Sequence, residues 1–439
     1  MRNTYIRHTA LAVFLACGLA LNVAVADDLI VFNSDTSWCW FQGPRALIDN
    51  GRLLLAGVGS TGDITVTSYD IESGAICVAV LHERLNANDH AVPALMALPD
   101  GRYLASYSRH NDEVTRLRIS KRPADITEWG PEKQFDHGAP ATYSNLYRMK
   151  TEGPHGRIYN FIRALERDPC FIVSDDNGAT WRQGGRVIDG GGEPTRPYAR
   201  YRGDGVDTVH FITTEGHPRR YDNSVYHGFI RDGKAFKSDG TLVNNDIFRP
   251  EAPKANQFTK IFEGNADNVA WTSDIRLDAD GRPYAAYSVM KDPLPMDTGL
   301  RGNDHRYRYA RWDGERWHDY EIAYAGTHLY AGENEYTGLI TLHPDTPDVV
   351  FISADADPVS NEPIMVDGQR RYEIFMGSTV DGGATWRWTA VTRNSTQDNL
   401  RPMVAADDGV WALVWLRGEY RSYTDYDQAA VGIIRRGRP

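Results

Sequence analysis

Two histidines, His90 and His110, stand ten residues either side of the Asp100-Gly101 turn signal. Tyr147 and Arg163 stand eight either side of His155-Gly156. Asp-Gly and similar pairs favour tight hairpins because glycine accepts positive φ without a Cβ clash. Antiparallel pairing about residues 100 and 155 would therefore set the histidines side by side and the tyrosine beside the arginine. Both pairs fall at the end of their hairpin away from the turn, so adjacent hairpins would present them on one rim. Arg219, in Thr-Glu-Gly-His-Pro-Arg, and Arg417, in Trp-Leu-Arg-Gly-Glu-Tyr, follow later turns on the same side. Together these are the ingredients of proton transfer next to a carboxylate. Imidazole titrates near neutrality, and a guanidinium keeps its charge and grips a carboxylate by two hydrogen bonds. Taken singly, each residue has a plainer reading as a structural histidine, a core tyrosine or a solvated arginine. The two symmetric pairs single them out.

The elements that must position them are short strands. Runs of β-branched and aromatic residues alternate with polar ones and stop at Gly, Asp, Asn or Pro, which marks an all-β chain. Similar turns recur at residues 51, 101, 156, 205, 281, 347 and 409, each leading into an apolar strand such as LLLAGV, YLASYS or VWALVW. The copy at Thr346-Pro347-Asp348 is the weakest. Intervals of this size suit four-stranded blades with insertions, so the expected fold is a seven-bladed β-propeller of four-stranded antiparallel blades. Ser174-Asp-Asp-Asn-Gly-Ala-Thr-Trp181 and Thr379-Val-Asp-Gly-Gly-Ala-Thr-Trp386 fit the Asp-box pattern S/T-x-D-x-G-x-T-W. Such a turn lets its Asp bond loop backbone while its Trp packs between strands, which is a structural role.

Residues 1–26 read as a secretory signal, with Arg2 and Arg7, an apolar run from Leu11 to Leu21 and Ala24-Val25-Ala26 as a cleavage site. The remainder, residues 27–439, is expected to be one domain, secreted or periplasmic and monomeric. No second apolar stretch is long enough to span a membrane. The formal charge of −11 becomes −13 once those two arginines leave. An acidic surface disfavours a nucleic-acid partner, and taken alone it also disfavours a polyanionic one. Cys17 leaves with the signal. Cys39, Cys77 and Cys170 allow at most one bridge, either Cys39–Cys77 or none, and match no metal motif.

Asn88-Asp-His-Ala-Val-Pro-Ala-Leu, followed by Ser108-Arg-His110, resembles the propeller-type polysaccharide lyases. These are the ulvan lyases and related L-rhamnosyl-α-1,4-glucuronate lyases among BNR-repeat proteins. Tyr143-Ser-Asn-Leu-Tyr147, Tyr159-Asn-Phe-Ile-Arg163, Glu215-Gly-His-Pro-Arg219, Asn223-Ser-Val-Tyr-His227 and Asp398-Asn-Leu-Arg-Pro402 extend the resemblance over nearly the whole chain. It implies a lyase acting on an anionic, uronic-acid-containing polysaccharide, with His90, His110, Tyr147 and Arg163 in the active site and Arg219 and Arg417 as binding residues. The reaction would remove the C5 proton of a uronate and expel the oxygen on C4. A histidine, His90 before His110, would be base and Tyr147 acid, with Arg163 on the carboxylate. Ulvan is the expected substrate, and exo-release of rhamnose from glucuronate is the alternative within the class. The chemistry needs no cofactor. A structural zinc or calcium is allowed, for which His217 and His227 are the nearest suggestions and no ligand set is fixed. Two readings from other classes stay open: a sialidase-like hydrolase drafting Arg163, Arg219 and Arg417 as a triad, and a non-catalytic glycan-binding propeller using the aromatics of 420–426.

Overall fold

The computed structural model describes residues 29–192, 195–291 and 302–439; the expected signal segment, 1–26, lies outside them. All seven turn signals join paired strands. In the first hairpin Ala46–Asp49 pairs with Arg52–Val58, so that Asp49 faces Arg52 across a two-residue turn. Asn50 and Gly51 there take φ of 48° and 70°, the left-handed pair that matches strand twist. Asp408 and Gly409 repeat this turn between Asn399–Asp407 and Val410–Ser422. The strands that follow, such as Arg52–Val58 and Pro283–Met290, are buried along nearly their whole length, which explains why they are continuously apolar or aromatic.

Most of the strands form antiparallel groups of four in an all-β, propeller-like arrangement, and the group opened by Ala199–Gly203 has six. The opening strands of successive groups are Ala46–Asp49, Ala94–Ala97, the second half of Lys133–Met149, Ala199–Gly203, Val269–Leu277, Ile340–Leu342 and Asn399–Asp407. Each touches the next, and the last touches the first. Lys133–Met149 serves two groups. Its first half pairs with Asp112–Ile119 and its second with Arg157–Ala164. The last group takes its fourth strand from the other end of the chain, Ile30–Asn33 beside Asp425–Arg436. Both Asp boxes form as expected. Asp176 accepts from the backbone and hydroxyl of Thr180 while Trp181 donates to Gly178, and Asp381, Thr385, Trp386 and Gly383 repeat the pattern.

One segment has no counterpart in the repeat. Residues 37–44 leave the first strand and run through the centre of the ring of opening strands. Ser37 and Val58 exchange backbone hydrogen bonds at one end, and Gly43 accepts from Leu146 and donates to Ser144 at the other. Between them Trp40 and Phe41 are buried against Tyr143, Tyr198, Trp271 and Tyr336, rings contributed by four different parts of the chain. The Trp40 indole donates to the Thr272 carbonyl at 3.0 Å. This aromatic plug fills the axis. Cys39 within it is a free buried thiol, and Cys77 and Cys170 are also free. Replacing a packed tryptophan by alanine typically costs about 3–5 kcal/mol. Trp40→Ala is therefore expected to lower the unfolding free energy in urea by that amount, and a loss below about 1 kcal/mol would mean that the axis does not depend on the plug.

Candidate active site

His90 sits in a single 3-10 turn, Asp89–Ala91, immediately before the strand Ala94–Ala97. Asn88 caps that turn, its Oδ1 accepting from the His90 backbone N–H at 3.0 Å. The strand register continues past the strand ends: Ala94 faces Ser106 and Ala97 faces Tyr103, so residue 90 falls opposite residue 110. The two rings stack with centroids 4.3 Å apart. Tyr423 stands edge-on to both, at 5.2 and 5.8 Å, and Tyr143 stacks on the other face of His90 at 5.7 Å.

The neighbours fix the tautomers. His90 Nδ1 lies 3.0 Å from Asn88 Oδ1 and 2.6 Å from Asp89 Oδ1, both acceptors, so it carries the proton and leaves the Nε2 lone pair free. The backbone bond to Oδ1 also sets the Asn88 amide, turning its NH2 toward His110 Nδ1 at 3.4 Å. His110 therefore accepts at Nδ1 and presents an N–H at Nε2. One asparagine holds the two imidazoles in opposite tautomers.

Beneath the turn lies a buried ion pair. Asp89 Oδ2 accepts from Arg401 Nη1 at 2.5 Å and from the Tyr420 hydroxyl at 2.6 Å, and Arg401 is itself 1% exposed. Burial alone would raise the Asp89 carboxyl; Arg401 and then His90 overcome this and hold it well below the usual carboxylate range. His110 moves the other way, pushed down to about 2 by burial, with His90 and Arg163 adding to the effect, so it is neutral across the physiological range.

Arg163 lies on the neighbouring hairpin, 5% exposed, its guanidinium over the rings of Tyr143 (4.8 Å) and Tyr198 (5.3 Å). Its Nη1 donates to the Tyr198 hydroxyl at 2.8 Å, and its Nη2 reaches Asn111 Oδ1 at 3.4 Å. Tyr143 and Asn111 both have left-handed backbones, with φ of 72° and 58°. That conformation is uncommon for an aromatic residue and is typical of sites where side-chain placement outweighs backbone comfort.

Tyr147 does not join this group, which corrects the sequence expectation. Met149 pairs with Arg157, so the turn spans residues 150–156 and Gly156 ends it instead of marking its middle. Tyr147 consequently faces Tyr159, while Arg163 pairs with Thr142 across a bulge and has Tyr143 beside it. Tyr147 points instead to the opposite side of the plug, its hydroxyl donating to the Tyr201 carbonyl at 2.6 Å. Arg417 is also elsewhere, its Nε donating to Asn399 Oδ1 at 3.0 Å. Arg219 stands at the rim, paired with Glu333 and with Glu335 at 2.9 Å. The three arginines drafted for a triad thus have separate partners. Sequence reasoning missed Asn88, Asp89, Tyr143, Tyr198, Arg401 and Tyr423, although the stretches it quoted contain all but Tyr198.

His217 and His227 have different partners. His227 Nε2 meets His210 Nδ1 at 3.1 Å and its Nδ1 meets Ser238, whereas His217 lies 3.5 Å from Glu335. Among the described residues, Cys39–Asp89–His90 and His217–Glu333–Glu335 have donor atoms close enough to share a cation. In both sets an arginine already pairs with the carboxylates: Arg401 with Asp89, and Arg219 with Glu333 and Glu335.

The His110 shift has a measurable consequence. A histidine held neutral in the fold but free to protonate at about pH 6.5 when unfolded makes the unfolded chain bind more protons below that pH. Stability is therefore expected to fall as pH drops below about 6.5, and His110→Gln should flatten that fall in urea titrations. An unchanged slope would contradict the burial of a neutral imidazole.

Comparison with known proteins places these features in a family. No curated protein matches the chain. Among solved structures, an ulvan lyase of polysaccharide lyase family PL25, bound to -[GlcA(1-4)Rha3S]-, superposes with a TM-score of 0.65 at 16% identity, over 93% of this chain and 96% of that one. The polysaccharide lyase Uly1 superposes with a TM-score of 0.58 at 10% identity, over 90% of each chain. At these identities the likeness is one of fold. The model of the BNR repeat-containing family matches residues 55–325, more than half of the sequence, and the chain belongs to that family.

Proposed function

We propose that the protein is an exported polysaccharide lyase with a seven-bladed propeller fold, which breaks the rhamnosyl–glucuronate linkage of an ulvan-type glycan by β-elimination. The observation that carries this reading is the tautomer pair. His90 has a free Nε2 lone pair and an Nδ1–H anchored by Asn88 and Asp89, next to an arginine suited to a carboxylate. The sequence resemblance and the fold shared with an ulvan lyase bound to such a glycan point the same way. Export rests on the N-terminal segment.

The C5 proton of a uronate is a poor acid while the adjacent carboxylate keeps its full charge. Arg163 would take that carboxylate, with the His110 Nε2–H as second donor, and stabilise the enolate-like transition state. His90 Nε2 would accept the C5 proton. The electron pair of that C–H bond then forms the C4–C5 double bond as the C4–O bond breaks, and the departing oxygen needs a proton. We assign that proton to Tyr198. Arg163 donates to its oxygen at 2.8 Å, which leaves the phenol proton free to depart and sets positive charge where the phenolate would form. Asp89 stabilises the imidazolium formed on His90, as a carboxylate does for a histidine base elsewhere. Each role falls to a side chain already in place.

The test is the growth of ultraviolet absorbance from the conjugated double bond on ulvan. His90→Ala is expected to lose about 10²–10⁴-fold in kcat, the range for a positioned base. Tyr198→Phe should lose more than Tyr147→Phe. Wild-type turnover in His90→Ala would overturn the assignment of the base, and a larger loss in Tyr147→Phe would overturn that of the acid.

A further inference from the structure

On the far side of the plug from the histidines lies a second polar chamber of about 150 Å³, large enough to hold several waters. Tyr147 lines it together with Arg45, Arg200, Arg202, Arg276 and a single carboxylate, Asp274. Gly43 of the plug forms part of its wall, and a Cβ added there would lie 3.6 Å from the Tyr147 hydroxyl and 3.9 Å from Arg200 Nη1. Its lining residues come from five of the opening strands and the plug, so the chamber lies on the axis.

Its charge does not balance. Asp274 lies 3.3 Å from Arg276 Nε but 3.9 Å from Arg200 Nη2, and its oxygens also accept from Thr341, from the Leu342 amide and from its neighbour Ile275. Arg45 Nη1 donates to the Trp40 and Gln42 carbonyls, and Arg200 Nη1 to Gln42. Among the described residues, the Nε groups of Arg45, Arg200 and Arg202 are buried without a hydrogen-bond partner, and Arg200 is only 6% exposed. Burial holds Arg45, Arg200 and Arg202 below the usual arginine range, and neighbouring guanidiniums push the same way. Four guanidiniums thus converge on one carboxylate. Uncompensated buried charges of one sign are costly, and a bound anion would lower that cost.

We propose that this chamber is a binding site for a small tetrahedral oxyanion, inorganic phosphate or sulfate, held by Arg200, Arg202 and Arg45. Guanidinium donors in several planes match a tetrahedron of acceptor oxygens, and a divalent anion would offset most of the excess charge. The ion would act as a structural ligand that clamps opening strands from different groups to the plug. The site is independent of the lyase reading, because it shares no side chain with the histidine pocket.

The experiment uses the full chain purified without phosphate or sulfate. Thermal unfolding and titration calorimetry are followed as sodium phosphate or sodium sulfate is added, with sodium chloride holding ionic strength constant. A saturable rise in Tm is expected for at least one of the two, and the larger rise identifies which anion the site prefers. Arg202→Met should weaken the anion about tenfold or more, the loss of one charged hydrogen-bonding partner. Arg202→Lys, which keeps the charge without the fork, should fall between. Far-ultraviolet circular dichroism of each variant verifies folding, and if Arg202→Met fails to fold then the Lys variant and the wild-type titrations decide. A shift that chloride reproduces at equal ionic strength, or Arg202 variants that bind as tightly as the wild type, would overturn the proposal.

Discussion

The buried ion pair between Asp89 and Arg401 is the interaction on which the rest of the site depends. Removing one partner of such a pair leaves a bare charge in the interior, typically at a cost of about 3–5 kcal/mol. Here the pair does more than neutralise itself. Arg401 Nη1 also donates to the Trp38 carbonyl, the Trp38 indole donates back to the Arg401 carbonyl, and Arg401 Nη2 reaches Tyr420. One guanidinium therefore ties the plug, the histidine turn and the last group of strands together. Asp89 then faces His90 Nδ1, so the same carboxylate that anchors the fold also orients the imidazole.

The plug divides the axis into two chambers of different character. On one side the stacked imidazoles and Arg163 lie against tyrosine rings; on the other, four guanidiniums surround Asp274. The acidic total charge of −11 is no obstacle to an anionic substrate, because binding responds to the local field. Arg163 and Arg167 both act on His110, and Arg219, Arg163, Arg196 and Arg220 all act on His217.

The repeat of hairpins was legible because each turn must solve the same backbone problem, and Asn, Asp and Gly solve it visibly. The histidine pair was legible for the same reason: Leu98 to Arg102 form a short turn, so counting outward from residue 100 kept the true register. Counting from His155 failed because residues 150–156 form a longer turn that is asymmetric about its glycine. The plug could not be read from the sequence, since Trp40 meets Trp271 and Tyr336 across more than two hundred residues and no local pattern records such contacts. Arg401 hid within Asp398-Asn-Leu-Arg-Pro402, where nothing distinguishes a buried arginine from a solvated one. Tyr143 hid behind a left-handed backbone that breaks strand alternation.

The proposed reaction is elimination at a uronate with His90 as base, and mass spectrometry of the products formed on ulvan distinguishes it from hydrolysis. Elimination adds no water, so the new non-reducing-end fragment should be one water lighter than its hydrolytic counterpart, in every cleavage and at every time point. Fragments carrying the added water would contradict the account and point to a hydrolase built on the same fold.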